Sequence, residues 1–193
     1  MRALLAIGGE GPERALLEPL LPGFGFVCAA DSGLDLLSRW ALEPDLVVGD
    51  MDSVSSPGLL ASYPRAEVIR FPRDKDESDT ELGLRLLFER GYREVSIAGG
   101  GGGRVDHLFA IRALFERPER RPLAWFTDAA AIRLVGEGCR LELESLPGEL
   151  VSVFPLASGA AGMESGGLKW PLAGLSWSAG GFGLSNEALG ESF

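Results

Sequence analysis

Short apolar runs alternate with longer amphipathic stretches through the first two-thirds of the chain. Residues 2–7, 25–30, 45–48, 67–71, 94–98 and 123–126 read as strands, because brief apolar runs bounded by turn residues are too short for helices. Between them, residues 12–21, 33–41, 78–90 and 105–116 read as helices. The clearest is 78–90, where Leu82 and Leu86 keep helical spacing, Ser78-x-x-Glu81 forms a capping box and Gly91 stands ready as the C-terminal cap. Pro12 opens the first helix at a position where a missing N–H does no harm. Strand and helix alternating in this way predict a mainly parallel sheet, a Rossmann-like, doubly wound α/β fold.

The texture changes after Asp128. Twelve of the remaining 65 residues are glycine, and the short segments 140–143, 150–154 and 182–184 are separated by turns, an all-β pattern. All ten aspartates fall at or before Asp128, while the tail carries seven glutamates and three basic residues. We therefore expect an α/β domain over 1–128 and a small β domain over 129–193, joined tightly. Metal or phosphate chemistry is expected in the first.

Composition narrows the function. With 46% apolar and 24% charged residues among 193 the chain folds. Its formal charge of −10 repels phosphate backbones and anionic headgroups, which argues against nucleic acid and membrane surfaces as partners. Cys28 and Cys139 match neither a zinc spacing nor a disulfide framework, so a reducing, cytoplasmic setting is expected. Gly8-Gly9-Glu10 cuts the first apolar run below the length of a signal segment, and no run approaches the ~18 apolar residues of a membrane-spanning helix.

Four groups of residues at predicted strand ends carry candidate chemistry. Asp50-Met51-Asp52 follows the strand ending at Val48; if the segment is extended, both carboxylates point to one side and suit a hard cation such as Mg²⁺. An Asp-x-Asp in a solvated turn is the plainer alternative. The run from Asp74 to Glu81 leads into the capped helix, where acidic side chains are also favoured by the helix dipole alone. Lys75 inside it is a candidate phosphate contact. Gly99 to Gly103, followed by Arg104-Val105-Asp106-His107, lies between a strand and a helix, the position of a phosphate cradle, although neither a P-loop nor a dinucleotide fingerprint is present. A flexible loop is the alternative, and His107 has a capping or packing use open to it. Asp31, before Ser32-Gly33, is by itself explained as a helix N-cap. Taken together the four groups describe a site for Mg²⁺ and a polyphosphate.

These residues resemble the thiamine pyrophosphokinase family. The matching motifs are Ala-Ala-Asp-Ser-Gly-Leu at 29–34, Pro-Asp-Leu-Val-Val-Gly-Asp-Met-Asp-Ser at 44–53, Lys-Asp-Glu-Ser-Asp-Thr-Glu-Leu at 75–82 and Gly-Gly-Arg-Val-Asp-His at 102–107. In the tail, 150–156, Gly-Leu-Lys-Trp-Pro-Leu at 167–172 and Leu-Ser-Asn-Glu at 184–187 match as well. The resemblance implies an α/β domain that binds ATP and Mg²⁺, a β-sandwich domain, and a homodimer with thiamine bound between subunits. It implies transfer of the β,γ-pyrophosphoryl group of ATP to thiamine, leaving AMP. By resemblance Asp50, Asp52 and Asp79 hold the metal, and Asp31, Arg104 and Asp106 join them in catalysis. Lys75, Asp76, Ser78, Gly101 and Gly102 meet ATP, and Leu168, Trp170, Ser185 and Asn186 meet thiamine, with Trp170 stacking on its ring.

Two departures from the family pattern stand out. Ile111 occupies a place where the family commonly has asparagine, and family members usually continue beyond the Ser-Asn-Glu motif with a further strand, so an edge of the β domain is expected to lack its neighbour. Other readings are a non-catalytic thiamine or nucleotide sensor, a related pyrophosphokinase acting on another heterocyclic alcohol, and a glycosyltransferase that uses Asp-x-Asp; the tail motifs argue against the last.

Overall fold

A computed structural model describes residues 1–52, 54–55 and 58–193. The chain divides into two compact units, Met1–Leu134 and Val135–Phe193. The first is built on a seven-stranded sheet in the order β4-β3-β2-β1-β5-β6-β7. Its strands are β1 (Arg2–Ala6), β2 (Val27–Ala30), β3 (Leu46–Gly49), β4 (Glu67–Arg70), β5 (Glu94–Ala98), β6 (Ala124–Phe126) and β7 (Ala131–Arg133). Neighbours pair in parallel except β6 with β7, which is antiparallel.

The helices are α1 (Arg14–Leu17), α2 (Gly33–Arg39), α3 (Asp79–Glu89) and α4 (Val105–Leu114). Side chains alternate across a strand, and β1 shows what covers each face. Leu4 and Ala6 share a buried cluster with Leu34 and Leu37 of α2 and with Trp40. Leu5, between them, packs against Gly83 of α3, where an added Cβ would lie 2.7 Å from Leu5 Cδ1. A sheet buried on both faces explains why its strands are continuous apolar runs rather than alternating ones.

Two expectations change in this unit. The helix expected over 12–21 is one turn long, followed by a 3₁₀ turn at Leu21–Gly23; Pro19 has no N–H to give and its ring clashes with the preceding turn. Strand β7 was absent from the sequence reading. Its three residues follow a turn in which Thr127 Oγ1 accepts from the amides of Ala129 and Ala130 at 3.1 and 3.0 Å, and this hairpin stays with the α/β unit.

The second unit holds two antiparallel pairs, β8 (Leu150–Val153) with β11 (Gly183–Glu187) and β9 (Ala160–Ala161) with β10 (Ser176–Trp177). The segment 140–143 is not a strand, yet Leu143 and Phe193 exchange both backbone hydrogen bonds, at 3.0 and 3.1 Å, and Ser145 donates to Glu191 at 2.9 Å. Backbone groups after the Ser-Asn-Glu motif are thus paired within the unit. Among the described residues no helix is long and apolar enough to cross a membrane.

Candidate active site

The carboxyl ends of β2, β3 and β4 converge on an open cleft of about 400 Å³, lined by Asp31, Asp50, Asp52, Arg73, Lys75, Asp76, Glu77, Ser78 and Asp79. Three short chain reversals put these side chains there. Asp31 follows β2 with φ +47, an uncommon conformation for a residue with a side chain, held by its amide donating to Val48 O at 2.8 Å. Gly49 leaves β3 at φ +137, and a Cβ there would approach both Asp31 Cβ and Asp79 Oδ1 to 3.1 Å. Only a glycine lets the two aspartates come this close to the backbone.

The Asp50-Met51-Asp52 segment is not extended. Met51 adopts φ +65, and the Asp52 amide donates to Asp50 Oδ1 at 3.1 Å. The carboxylates converge through a local turn and not through strand alternation, as expected of aspartate bonding its own backbone two residues on. That amide holds the Asp50 carboxyl below its ordinary value. Asp31, Asp50 and Asp52 each offer an oxygen within 4.8 Å of the others. Arg73 lies 3.6 Å from Asp52. Ser53, the last residue of its motif, lies outside the described residues.

Helix α3 supplies the opposite wall. Its capping box forms, with Ser78 accepting from the Glu81 amide and Glu81 accepting from the Ser78 amide. This fixes Asp79 at the first helical position. Lys75 Nζ forms an ion pair with Asp79 Oδ1 at 3.3 Å and donates to Pro72 O at 3.1 Å, while Asp31 Oδ1 is buried without a hydrogen-bond partner.

Burial lifts the Asp79 carboxyl above its ordinary value, with the charges of Asp31 and Asp50 adding to the rise and Lys75 opposing it. Folding therefore favours protonated Asp79. That contribution is present at low pH and is lost as pH rises through the folded-state value. Asp79→Asn, which imitates the protonated carboxyl, is expected to melt at a higher temperature than the wild type near neutral pH without divalent cations. The gap should close as the pH falls below about 4, as thermal melts across pH will show.

The remaining candidates stand apart from these. Gly101, Gly102 and Arg104 belong to the loop after β5 and Asp106 to the first turn of α4, and none of them lines the cleft. Glu10 and Gly101 exchange backbone hydrogen bonds of 3.0 and 2.8 Å, and Trp125 Nε1 donates to Gly99 O at 2.8 Å. Arg104 Nε donates to Asp106 Oδ1 at 3.1 Å, and the guanidinium holds the Asp106 carboxyl down to about 2. Ile111 is buried beneath this loop, and a Cβ on Gly100 would lie 2.4 Å from its Cδ1. Ile111 is here a packing contact. His107 is exposed.

In the second unit Trp170 is 53% exposed, and its backbone is clamped by buried Asn186. Trp170 N donates to Asn186 Oδ1 at 3.0 Å, and Asn186 Nδ2 donates to Trp170 O at 2.7 Å. Lys169 pairs with Glu187 at 2.8 Å and lies 4.7 Å from the indole centroid. Leu168 is buried; Ser185 is exposed at φ +55, its amide donating to Ser152 Oγ at 3.2 Å.

Sequence reasoning passed over Arg73 and Glu77 as cleft residues and Gly49 as the point of close approach. A glycine between an apolar strand and Asp-x-Asp was the available signal for the last.

Fold and cleft together define a class: an α/β protein with an acidic cleft at the carboxyl edge of a parallel sheet, where such sheets gather their ligands. The model of the family described as "Thiamin pyrophosphokinase, catalytic domain" matches residues 17–124. The chain belongs to that family. It is 27% identical over 160 residues to Thiamine pyrophosphokinase 2 of Arabidopsis thaliana, an alignment covering 77% of this chain and 60% of that protein. The crystal structure of thiamine pyrophosphokinase from Bacillus subtilis matches with a TM-score of 0.78 at 19% identity, over 100% of this chain and 92% of that one. The thiamin pyrophosphokinase family protein from Enterococcus faecalis matches at 0.74 and 25% identity, with the same coverage. The chain thus spans about three-fifths of the curated plant relative.

Proposed function

We propose that the protein transfers the β,γ-pyrophosphoryl group of ATP to the hydroxyl of thiamine, giving thiamine diphosphate and AMP. The observation that carries this reading, in a chain of this family, is the pair of buried carboxylate oxygens beside Gly49, Asp31 Oδ1 without a hydrogen-bond partner and Asp79 Oδ1 with only Lys75 against it. Buried polar atoms rarely go without partners, and with Asp50 and Asp52 they make the all-oxygen donor set that Mg²⁺ takes. Asp50, Asp52 and Asp79 would hold the ion, with Asp31 beside them. When bound it would neutralise charge on the phosphate oxygens in transfer.

The chain's own residues then have distinct tasks. Lys75 and Arg73 set positive charge at the cleft for the phosphates, and Asp76 and Ser78 border the same space. Gly101 and Gly102 bring backbone close to the nucleotide, with Arg104, steadied by Asp106, adding a cation for transfer. The hydroxyl oxygen bonds to the β-phosphorus, the bond from that phosphorus to the oxygen of the α-phosphate breaks, AMP leaves and the hydroxyl proton is released. Alignment and charge neutralisation supply most of the rate in such transfers.

We assign ATP to the α/β unit and thiamine to the second unit, read as the family's β-sandwich. There the exposed indole of Trp170 suits a cationic aromatic ring, an interaction worth about 0.5–2 kcal/mol, with Leu168, Ser185 and Asn186 around it. A homodimer in the cytoplasm, with both cysteines kept as thiols, completes the reading. Asn186→Ala strips two hydrogen bonds from the Trp170 backbone, at about 1–3 kcal/mol if the groups stay buried. Steady-state kinetics should show a raised KM for thiamine and an unchanged KM for ATP.

The reading is tested by incubating the protein with MgATP, with and without thiamine. AMP released only with thiamine, in step with thiamine diphosphate, is the expected result. A folded sample that binds either ligand without forming AMP would replace it with a sensor.

A further inference from the structure

At the end of the sheet opposite the cleft lies a cavity of about 600 Å³, lined by Phe88, Glu89, Arg93, Pro118, Glu119, Arg120, Arg121 and Leu123. Arg93 and Leu123 immediately precede β5 and β6, so the cavity opens at the amino edge of the parallel strands, and the cleft at their carboxyl edge. Nothing in the proposed transfer uses it.

Its charge is unusual for this chain. Acidic residues outnumber basic ones by 28 to 18, and twelve of the eighteen lysines and arginines lie within 4.0 Å of a carboxylate. Among the described residues the other six form no such pair, and three of these, Arg93, Arg120 and Arg121, line this one cavity. The carboxylates here do not cancel them: Glu89 is bonded to Arg85 at 3.3 Å, leaving Glu119 against three guanidinium groups. Arginines also serve to balance the negative ends of helices, but Arg90 at the end of α3 and Arg112 in the last turn of α4 already fill those places. Arg120 furthermore holds φ +55, a left-handed conformation costing an L-residue about 1 kcal/mol or more, at the position where two consecutive arginines both line the cavity.

We propose that this cavity binds a phosphate monoester carrying an aromatic or apolar group. Guanidinium forks match phosphate oxygens in geometry and charge, and like charges gathered without counterions gain most from an anion. Phe88, Pro118 and Leu123 supply an apolar wall for the esterified group. Helix α3 begins at the cleft with Asp79 and ends here with Phe88 and Glu89, so the ligand touches the element that carries a cleft carboxylate. The inference stands apart from the transfer reaction.

Calorimetric titration of the metal-free protein with phenyl phosphate and with inorganic phosphate tests it. Phenyl phosphate is expected to bind more tightly than inorganic phosphate, equally well to the wild type and to Asp52→Asn. Arg120→Ser/Arg121→Ser should weaken it at least about tenfold, with the fold checked by circular dichroism; should that variant not fold, Arg93→Ser serves, with a loss in the same direction. Unchanged affinity in the arginine variants, loss in Asp52→Asn, equal affinity for the two phosphates, or no heat from the wild type would each overturn the proposal.

Discussion

Asp52→Asn is expected to lose thiamine-dependent AMP formation by roughly a hundredfold or more while melting as the wild type does. The expectation follows from the convergence of three carboxylates, with one oxygen from each of Asp31, Asp50 and Asp52 within 4.8 Å of the others. Removing one charge from such a set weakens a dication and the charge stabilisation it brings to transfer, and about 3 kcal/mol of that stabilisation is a hundredfold in rate. Asp52 is exposed, so an isosteric amide leaves the core untouched. Asp74→Asn is the matched control: it is exposed, it opens the second acidic run and it does not line the cleft. It should retain near-normal turnover. Steady-state kinetics at saturating MgATP, with thermal melts of both variants, separates the two cases.

Gly33→Ala should be among the most damaging small changes to the fold. A Cβ at Gly33 would lie 2.1 Å from Ala6 O, 2.5 Å from Ala6 C and 2.8 Å from Ile7 N. All three are backbone atoms at the end of the central strand, so no side chain can swing aside. The helix must back away from the sheet, opening the cluster in which Leu34 and Leu37 pack on Leu4 and Ala6. Overpacking of this kind costs about 1–3 kcal/mol and sometimes more, and rigid backbone on the other side puts this site at the upper end. Asp31 lies two residues upstream, and Leu34 N donates to its carbonyl at 3.1 Å, so activity should fall along with stability. Chemical denaturation measures the first loss; a variant as stable as the wild type would contradict the packing argument.

Much of the first unit was legible because its signals are local. The runs at 2–7 and 94–98 became β1 and β5, buried on both faces, and the Ser78–Glu81 box capped α3 as its residue types require. What escaped the sequence depended on contacts far along the chain or on single awkward residues. Pro19 cut the first helix short, and β7 exists only because its three residues find β6 across a turn. In the second unit, strands of two residues such as β9 and β10 are set by their partners and carry no period to read.

The cleft was legible as a list of aspartates at strand ends, while its geometry was not. Asp50 and Asp52 meet through the left-handed Met51, where the sequence had suggested an extended segment. Asp79 is drawn toward Asp31 by the absence of a side chain at Gly49. In the second unit Asn186 holds the backbone of Trp170 through its side-chain amide, a partnership across 16 residues that no local pattern announces.

Single-turnover transfer from ATP labelled in its γ-phosphate, with thiamine and Mg²⁺, tests the central claim most directly. The account predicts that the label moves into thiamine diphosphate with one AMP formed per product. Label recovered as inorganic phosphate, or ADP in place of AMP, would contradict it.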